Sequence, residues 1–530
     1  MMDTMKNILI NPATPIVLYT AYKVLNLAKQ AKRLNSFTDQ HYKPSGQNFF
    51  GSFAEFIKTM RMSIEDGSIS EEFLFWRQRK FKESQNSAFP GTWIFKTLPW
   101  RQLMYVADPK LVEMMAQIPA SSVTQGGFAG DLLELDSRGF KNGLVMLEHD
   151  DWKKQRKIIS QIFRRNQLDN YIETMDQAAI TFTEKLAEQS SYSKSGAYEK
   201  SRLFVYEILF KTIFGDATAE VQTDKTYEPI INTFQKLGDA INSKIRSLPL
   251  ILLLKKIPLG IELAKKFWKP LREEQEHQHS RDIYLEKMVE KSRADHNEGI
   301  ENSDLTSILI RSQEKLGKPA LSNAQIHSHL FTFLFAGHET TLAALSWALF
   351  HLGENPECAV KIQEEFHNLG GQMNRQTISN AKYTEAFIKE ILRIRHVVDM
   401  MVPRKLIEDV SLPDGRVLPK GLQYIVDLGN IHRSEAQFGS NPTKFDPTRF
   451  LEQPKMANKK EGKYSFMPFG GGTRMCVGNH FAMQMLKIAV LRVASTLKTE
   501  NQHNGEVPNQ MEGVSWRPKS GTLAQKFTSL

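Results

Sequence analysis

The sequence predicts a mainly α-helical protein with a small β portion, and three observations carry that expectation. Helical patterning dominates from about residue 110 to 400 and includes one unusually long apolar run, Ser322 to Gly353. Strand-like alternation is confined to residues 93–108 and to residues 402–427, the second stretch centred on the turn signal Pro413-Asp414-Gly415. No internal repeat or low-complexity linker marks a boundary. The expectation is therefore an N-terminal segment, residues 1–45, ahead of a single domain spanning 46–530.

Composition is that of an ordinary globular protein, 41% hydrophobic and 24% charged. The 69 basic residues exceed the 59 acidic ones by ten. That excess suits an anionic membrane or an acidic partner protein better than nucleic acid, because neither an arginine-rich tract nor zinc-finger spacing is present. Two cysteines in so long a chain, Cys358 and Cys476, indicate a reducing compartment.

Residues 8–27 are apolar but interrupted by Pro12, Pro15 and Lys23, so they make a poor transmembrane span. From Ile16 onward a helix with Lys23, Lys29, Lys32 and Arg33 on its polar side could lie in a membrane interface, or simply pack on the protein. The apolar run from Pro249 to Gly260 allows the same two readings. Together the two segments favour peripheral membrane attachment.

The most informative stretch runs from Phe469 through Gly470, Gly471, Gly472, Thr473, Arg474, Met475, Cys476 and Val477 to Gly478. Residues 479–495 have the apolar spacing of a core helix, which sets Cys476 just before a positive helix end. That position favours a thiolate, and the glycines let backbone N–H groups approach its sulfur. Arg474 supplies a nearby cation and Phe469 a ring to pack on the thiolate side.

The long apolar helix carries Ala336-Gly337-His338-Glu339-Thr340-Thr341 at its centre. Ala336 and Thr340 share a face. Gly337 removes bulk beside that face, leaving room for a small ligand, and a hydroxyl next to an acid can relay protons to it. The alternative is a threonine bonded back to a carbonyl and a buried ion pair at Glu339. Ser322 with Gln325 forms a capping box at the helix start, and Gly353 with Pro356 provides the stop.

Both stretches resemble the cytochrome P450 family. The first is similar to its haem-binding signature F-x-x-G-x-R-x-C-x-G at every fixed position, and the second to its oxygen-activating motif A-G-x-(D/E)-T. Gln484 departs from the family, which often carries Glu there, with packing as the expected consequence. The likeness extends to Glu390 and Arg393 as an E-x-x-R pair with Arg449 as third member, and to Trp152 and Arg156 as a W-x-x-x-R helix.

The resemblance implies a helical prism with haem b between the long central helix and the cysteine-bearing helix. Cys476 would be the iron's protein ligand. Trp152, Arg156, Arg474 and Arg404 would hold the propionates, with Phe469 and Gly478 completing the cofactor site. Thr340 and Glu339 would be the catalytic pair. The implied reaction inserts one oxygen atom from O2 into a lipophilic substrate, with electrons from NADPH through a redox partner, either an NADPH-cytochrome reductase or a ferredoxin-type donor. Lys153, Lys154, Lys157, Lys459, Lys460 and Lys463 could steer an acidic donor, or form an ordinary solvated face. The implied location is the endoplasmic reticulum membrane surface with the catalytic domain in the cytosol, and no nucleic-acid partner. Two rivals remain at this stage, a haem-thiolate isomerase or dehydratase acting on a peroxide, and a non-enzymatic haem sensor.

Overall fold

The computed structural model describes, with short gaps, residues 25–37, 64–82, 91–125, 139–188, 196–215, 266–314, 321–452 and 464–530. The apolar stretches 8–24 and 249–260 and the lysines at 459, 460 and 463 lie outside the described residues. Among those described, no helix is long and apolar enough to cross a membrane.

The chain divides into two compact units. The first comprises residues 1–61, 75–127 and 402–427. It is built on a five-stranded sheet ordered Thr92–Leu98, Arg101–Val106, Gln423–Val426, Arg404–Leu406 and Val123–Gln125. The first two strands form an antiparallel hairpin, as the alternation at 93–108 predicts, and Arg101–Val106 runs parallel to Gln423–Val426. The turn at Pro413-Asp414-Gly415 closes a separate two-stranded ribbon, with Gly415 at φ +85° where a side chain would be strained. Residues 28–37 are helical, with Leu34 and Phe37 buried and Lys29, Lys32 and Arg33 exposed.

The second unit holds residues 62–74, 128–401 and 428–530. Its helices of ten or more described residues are α1 (His149–Ile159), α2 (Ile172–Ala187), α3 (Gly196–Leu209), α4 (Lys269–Asn297), α5 (Leu305–Glu314), α6 (Asn323–Glu354), α7 (Pro356–Asn368), α8 (Lys382–Ile394) and α9 (Asn479–Thr496). A four-stranded sheet, ordered Ile64–Glu65, Ser68–Ser70, Asn509–Glu512 and Ser515–Pro518, accompanies them.

Helix α6 organises this unit. Its 32 residues extend about 48 Å, and it packs against α3, α4, α5, α8 and α9. The predicted capping box forms: the Gln325 amide N–H donates to the Ser322 hydroxyl and the Ser322 N–H to Oε1 of Gln325. Gly353 has a further role beyond ending the helix. A Cβ there would lie 2.5 Å from Oδ1 of Asn501, so glycine is what lets the Asn501 side chain donate to the Phe350 carbonyl at 3.0 Å. Pro356 begins α7 at its first turn, where its missing N–H costs nothing.

Candidate functional site

From Ser328 to Leu352 nearly every residue of α6 is buried. The exceptions are Phe333, Ala336, Gly337 and Thr340. Spaced three, one and three apart, these four lie on one stripe. A stripe of partial exposure within an otherwise buried helix means that this face looks onto an internal space. Ala336 and Thr340 both lie on that stripe.

The Thr340 hydroxyl donates to the Ala336 carbonyl at 2.8 Å, the back-bonded arrangement open to any helical threonine, which leaves its oxygen lone pairs as acceptors. Gly337 differs from expectation. A Cβ at that position would meet Cδ2 of Leu209 at 3.1 Å, so the missing side chain serves the close approach of α3 to α6 as directly as it clears space for a ligand. Phe335 turns away from the stripe and packs edge-on against Phe140 at 5.3 Å. Glu339 is buried on the far side, where Ser515 donates to its carboxylate at 3.4 Å.

The cysteine loop is shaped by glycines and one backbone bond. Gly470 and Gly472 adopt φ +76° and +67°, a region that L side chains avoid. The Cys476 N–H donates to the Phe469 carbonyl at 2.9 Å, closing the loop on itself. Helix α9 starts at Asn479 with Gly478 as its N-cap. A Cβ on Gly478 would sit 3.6 Å from the Phe163 ring, and Phe163 bridges Phe333 of α6 at 5.7 Å to Phe481 of α9 at 6.1 Å. That aromatic bridge, which no sequence motif marks, ties the accessible stripe to the base of the cysteine loop.

Two properties of Cys476 identify its setting. The sulfur is exposed and unpaired, yet desolvation by surrounding protein pushes the thiol pKa up, against opposing pulls from the Gly478 N–H and the Arg156 guanidinium. A group both accessible and desolvated faces a cavity inside the protein. The Gly478 bond is the N–H contact expected of a cysteine before a helix N-terminus.

Three further predicted residues gather around it. The guanidinium of Arg474 lies 4.3 Å above the Trp152 ring, and that of Arg156 lies 5.8 Å from the same ring. Burial lowers the Arg156 pKa, with the neighbouring Cys476 pulling the other way. Among the described residues no carboxylate pairs with Arg156. A half-desolvated cation of this kind is matched by an anionic ligand. Helix α1, which carries Trp152 and Arg156, is pinned to α6 by a 2.5 Å bond between Gln155 and Nε2 of His329. Arg404, by contrast, begins the Arg404–Leu406 strand of the first unit, paired with Gln125 and Tyr424 in the sheet.

The loop is braced from behind. Arg393 gives Nε and Nη2 to the two oxygens of Glu390, both at 2.7 Å, with both side chains fully buried. Its Nη1 donates to the carbonyls of His432 and Pro442. Glu390 in turn accepts the Asp446 N–H at 2.9 Å and lies 3.5 Å from Nε of Arg449. Nε2 of His432 accepts the Met467 N–H at 3.0 Å, carrying the brace to within two residues of Phe469. Gln484 does what its family alternative could not: its side-chain N–H donates to the Leu168 carbonyl at 2.7 Å.

An exposed sulfur beside a glycine-shaped loop, a desolvated cation with its aromatic partner, and a partly accessible stripe on α6 together fit a haem: Cys476 would supply a soft ligand to the iron, and Arg156 and Arg474 would supply charges for the propionates.

Comparison with known proteins agrees. A family model described as "Cytochrome P450" matches residues 74–524. Mouse "Cytochrome P450 4A12B" is 28% identical over 360 residues, 66% of this chain and 67% of that protein. Human "Cytochrome P450 4X1" is 26% identical over 418 residues, covering 76% and 77% respectively. Among solved structures, the retinoic acid-bound cyanobacterial CYP120A1 superposes with a TM-score of 0.69 over 89% of this chain and 96% of that one, at 21% identity. This last similarity concerns the fold.

Proposed function

This chain belongs to the cytochrome P450 family and is a haem-thiolate monooxygenase that takes electrons from a redox partner, and from that premise we propose the residues that carry the reaction. Cys476 ligates the iron of haem b. Arg156, Arg474 and Trp152 hold the propionates, with Arg404 as a further contributor, and Phe469 and Gly478 line the thiolate side. When bound, the haem supplies reductive activation of O2 and insertion of one oxygen atom into a C–H bond. The single observation supporting this assignment is Cys476 itself, accessible yet desolvated, with the Gly478 N–H directed at its sulfur.

The chain's own residues supply the rest. The Gly478 N–H and the cations Arg156 and Arg474 favour negative charge at the sulfur and the propionates. The stripe of Phe333, Ala336 and Thr340 presents a mostly apolar wall, which excludes water and suits a lipophilic substrate. Thr340 and Glu339 hold and pass protons. Electrons come from NADPH through a reductase or ferredoxin-type donor that approaches the exposed lysines 153, 154 and 157 of α1. Residues 1–45 attach one catalytic domain, 46–530, to the endoplasmic reticulum membrane, facing the cytosol. Oxygen consumption tests this reading. Uptake should require both an NADPH-fed donor and a lipophilic substrate, and uptake independent of the donor would contradict it.

A further inference from the structure

In the first compact unit the helix at residues 28–37 is fastened to its neighbours by three specific contacts. The Gln102 side-chain N–H donates to Oδ1 of Asn35 at 2.9 Å. Arg33 pairs with Asp409, whose carboxylate also accepts the Lys420 N–H at 2.7 Å. A Cβ on Gly421, which sits at φ +88°, would lie 2.7 Å from Nε2 of Gln30, so glycine is what admits the helix this closely. With Leu34 and Phe37 buried beneath it, the helix holds a fixed position on the unit.

This fastening leaves an open cleft of about 520 Å³, within the size range of ligand sites. One wall is cationic. Lys29, Lys32, Arg33 and Ser36 follow at i, i+3, i+4 and i+7, on one face of the helix. The other wall is apolar, formed by Val417 and Pro419. Asp409 is the one carboxylate lining the cleft, and Arg33 already neutralises it. Lys29 and Lys32 are exposed, and among the described residues neither has an ion-pair partner. Two uncompensated cations facing an apolar wall suit an anion carried on a lipophilic body.

The surroundings indicate which one. Leu25 is 62% exposed, Val417 47% and Ile407 40%, so apolar side chains flank the cations on the same unit. In sequence the apolar stretch 8–24 ends at Leu25, and Lys29 follows one helical turn later, about 6 Å along the axis. An acidic protein surface would answer the lysines but not the exposed apolar side chains. A membrane leaflet offers phosphates beside hydrocarbon and answers both.

We propose that the cleft between residues 28–37 and Val417–Pro419 binds the headgroup phosphate of an anionic membrane lipid. Lys29 and Lys32 donate to the phosphate oxygens, Arg33 stays on Asp409 to hold the cleft open, and Val417 faces the acyl boundary. The inference rests on the peripheral membrane attachment proposed above and adds the lipid class and the cleft that selects it.

Partition of the full haem-loaded chain into vesicles tests it. Phosphatidylcholine vesicles are compared with vesicles of phosphatidylcholine mixed with phosphatidylserine, at constant ionic strength. The mixed vesicles should bind the parent more tightly. Lys29→Gln and Lys32→Gln should each reduce that gain about fivefold, and about 25-fold together, while binding to phosphatidylcholine alone stays unchanged. Val417→Asp should also reduce it. Lys110→Gln removes one exposed charge elsewhere on the unit and should change the gain little. An equal loss with Lys110→Gln would mean diffuse attraction and overturn the cleft. Displacement of the chain by inorganic phosphate at matched ionic strength would give the cleft to the free ion and overturn the lipid. Equal binding of the parent to both vesicles would spare the attachment but leave the cleft to an acidic protein, overturning this inference alone. Binding to neither would remove the attachment reading and the cleft with it.

Discussion

Arg393 grips both oxygens of Glu390 at 2.7 Å, and neither side chain has any exposure. By sequence spacing alone the pair reads as a surface ion pair worth little. Burial changes its character. Removing one partner strands a charge and leaves the carbonyls of His432 and Pro442 without their donor. Arg393→Ala or Glu390→Ala should therefore cost about 3–5 kcal/mol. The effect should appear as loss of haem incorporation on expression, because the brace leads through His432 to Met467 and the cysteine loop. Arg393→Lys should rescue little, since a point charge cannot reproduce the fork. Haem content measured against total protein checks this.

Arg156 gives a separate expectation. Its guanidinium is desolvated and near Cys476, and the assignment proposed above makes a cofactor propionate its counter-charge. Arg156→Gln should leave the fold intact, as judged by circular dichroism, while accelerating haem transfer to an acceptor protein by about tenfold or more, equivalent to about 1.4 kcal/mol. An unchanged transfer rate would remove Arg156 from the propionate site.

Acid should destabilise the protein. Burial holds His329 neutral with its pKa lowered to about 4, and holds His338 and His432 down at about 3, the latter two helped by Arg202 and by Arg393 with Arg433. Unfolded, each takes up a proton near pH 6.5. Below that pH the unfolded chain binds more protons than the folded one. The stabilisation from keeping these rings neutral is complete above roughly pH 6.5 and shrinks as pH falls toward 4, by up to about 2 kcal/mol per histidine at pH 5. Thermal unfolding followed from about pH 7.5 to 5 should show a midpoint falling steadily with acid. A flat or rising midpoint would contradict the assignment.

Thr340 makes a kinetic expectation. Its hydroxyl lies on the accessible stripe of α6, bonded only to Ala336. Thr340→Ala should keep the haem spectrum and substrate binding but divert reductant to peroxide. Product formed per NADPH consumed, compared with the parent enzyme, measures this directly.

Much of the site was legible in the sequence because its constraints are local. A glycine-rich turn before a helix, a capping box, and residues four apart on one helix each follow from short-range spacing, and Cys476, Trp152, Arg156 and Arg474 do converge. Contacts between distant residues were not legible. Ser515 reaches Glu339 across 176 positions, Asn501 explains Gly353, and Leu209 explains Gly337. Periodicity gives the face a residue occupies, not the neighbour on the other side of it. Phe163 carries no motif for the same reason, since a lone aromatic in a turn shows its partners only once the chain is folded.

The central claim is sulfur ligation of haem iron by Cys476, and the difference spectrum of the reduced, carbon-monoxide-bound protein tests it most directly. The parent protein should show the strongly red-shifted Soret band of a thiolate-ligated haem, and Cys476→Ser should lose that band. A parent spectrum typical of nitrogen or oxygen ligation, or a red-shifted band that survives in Cys476→Ser, would contradict the account.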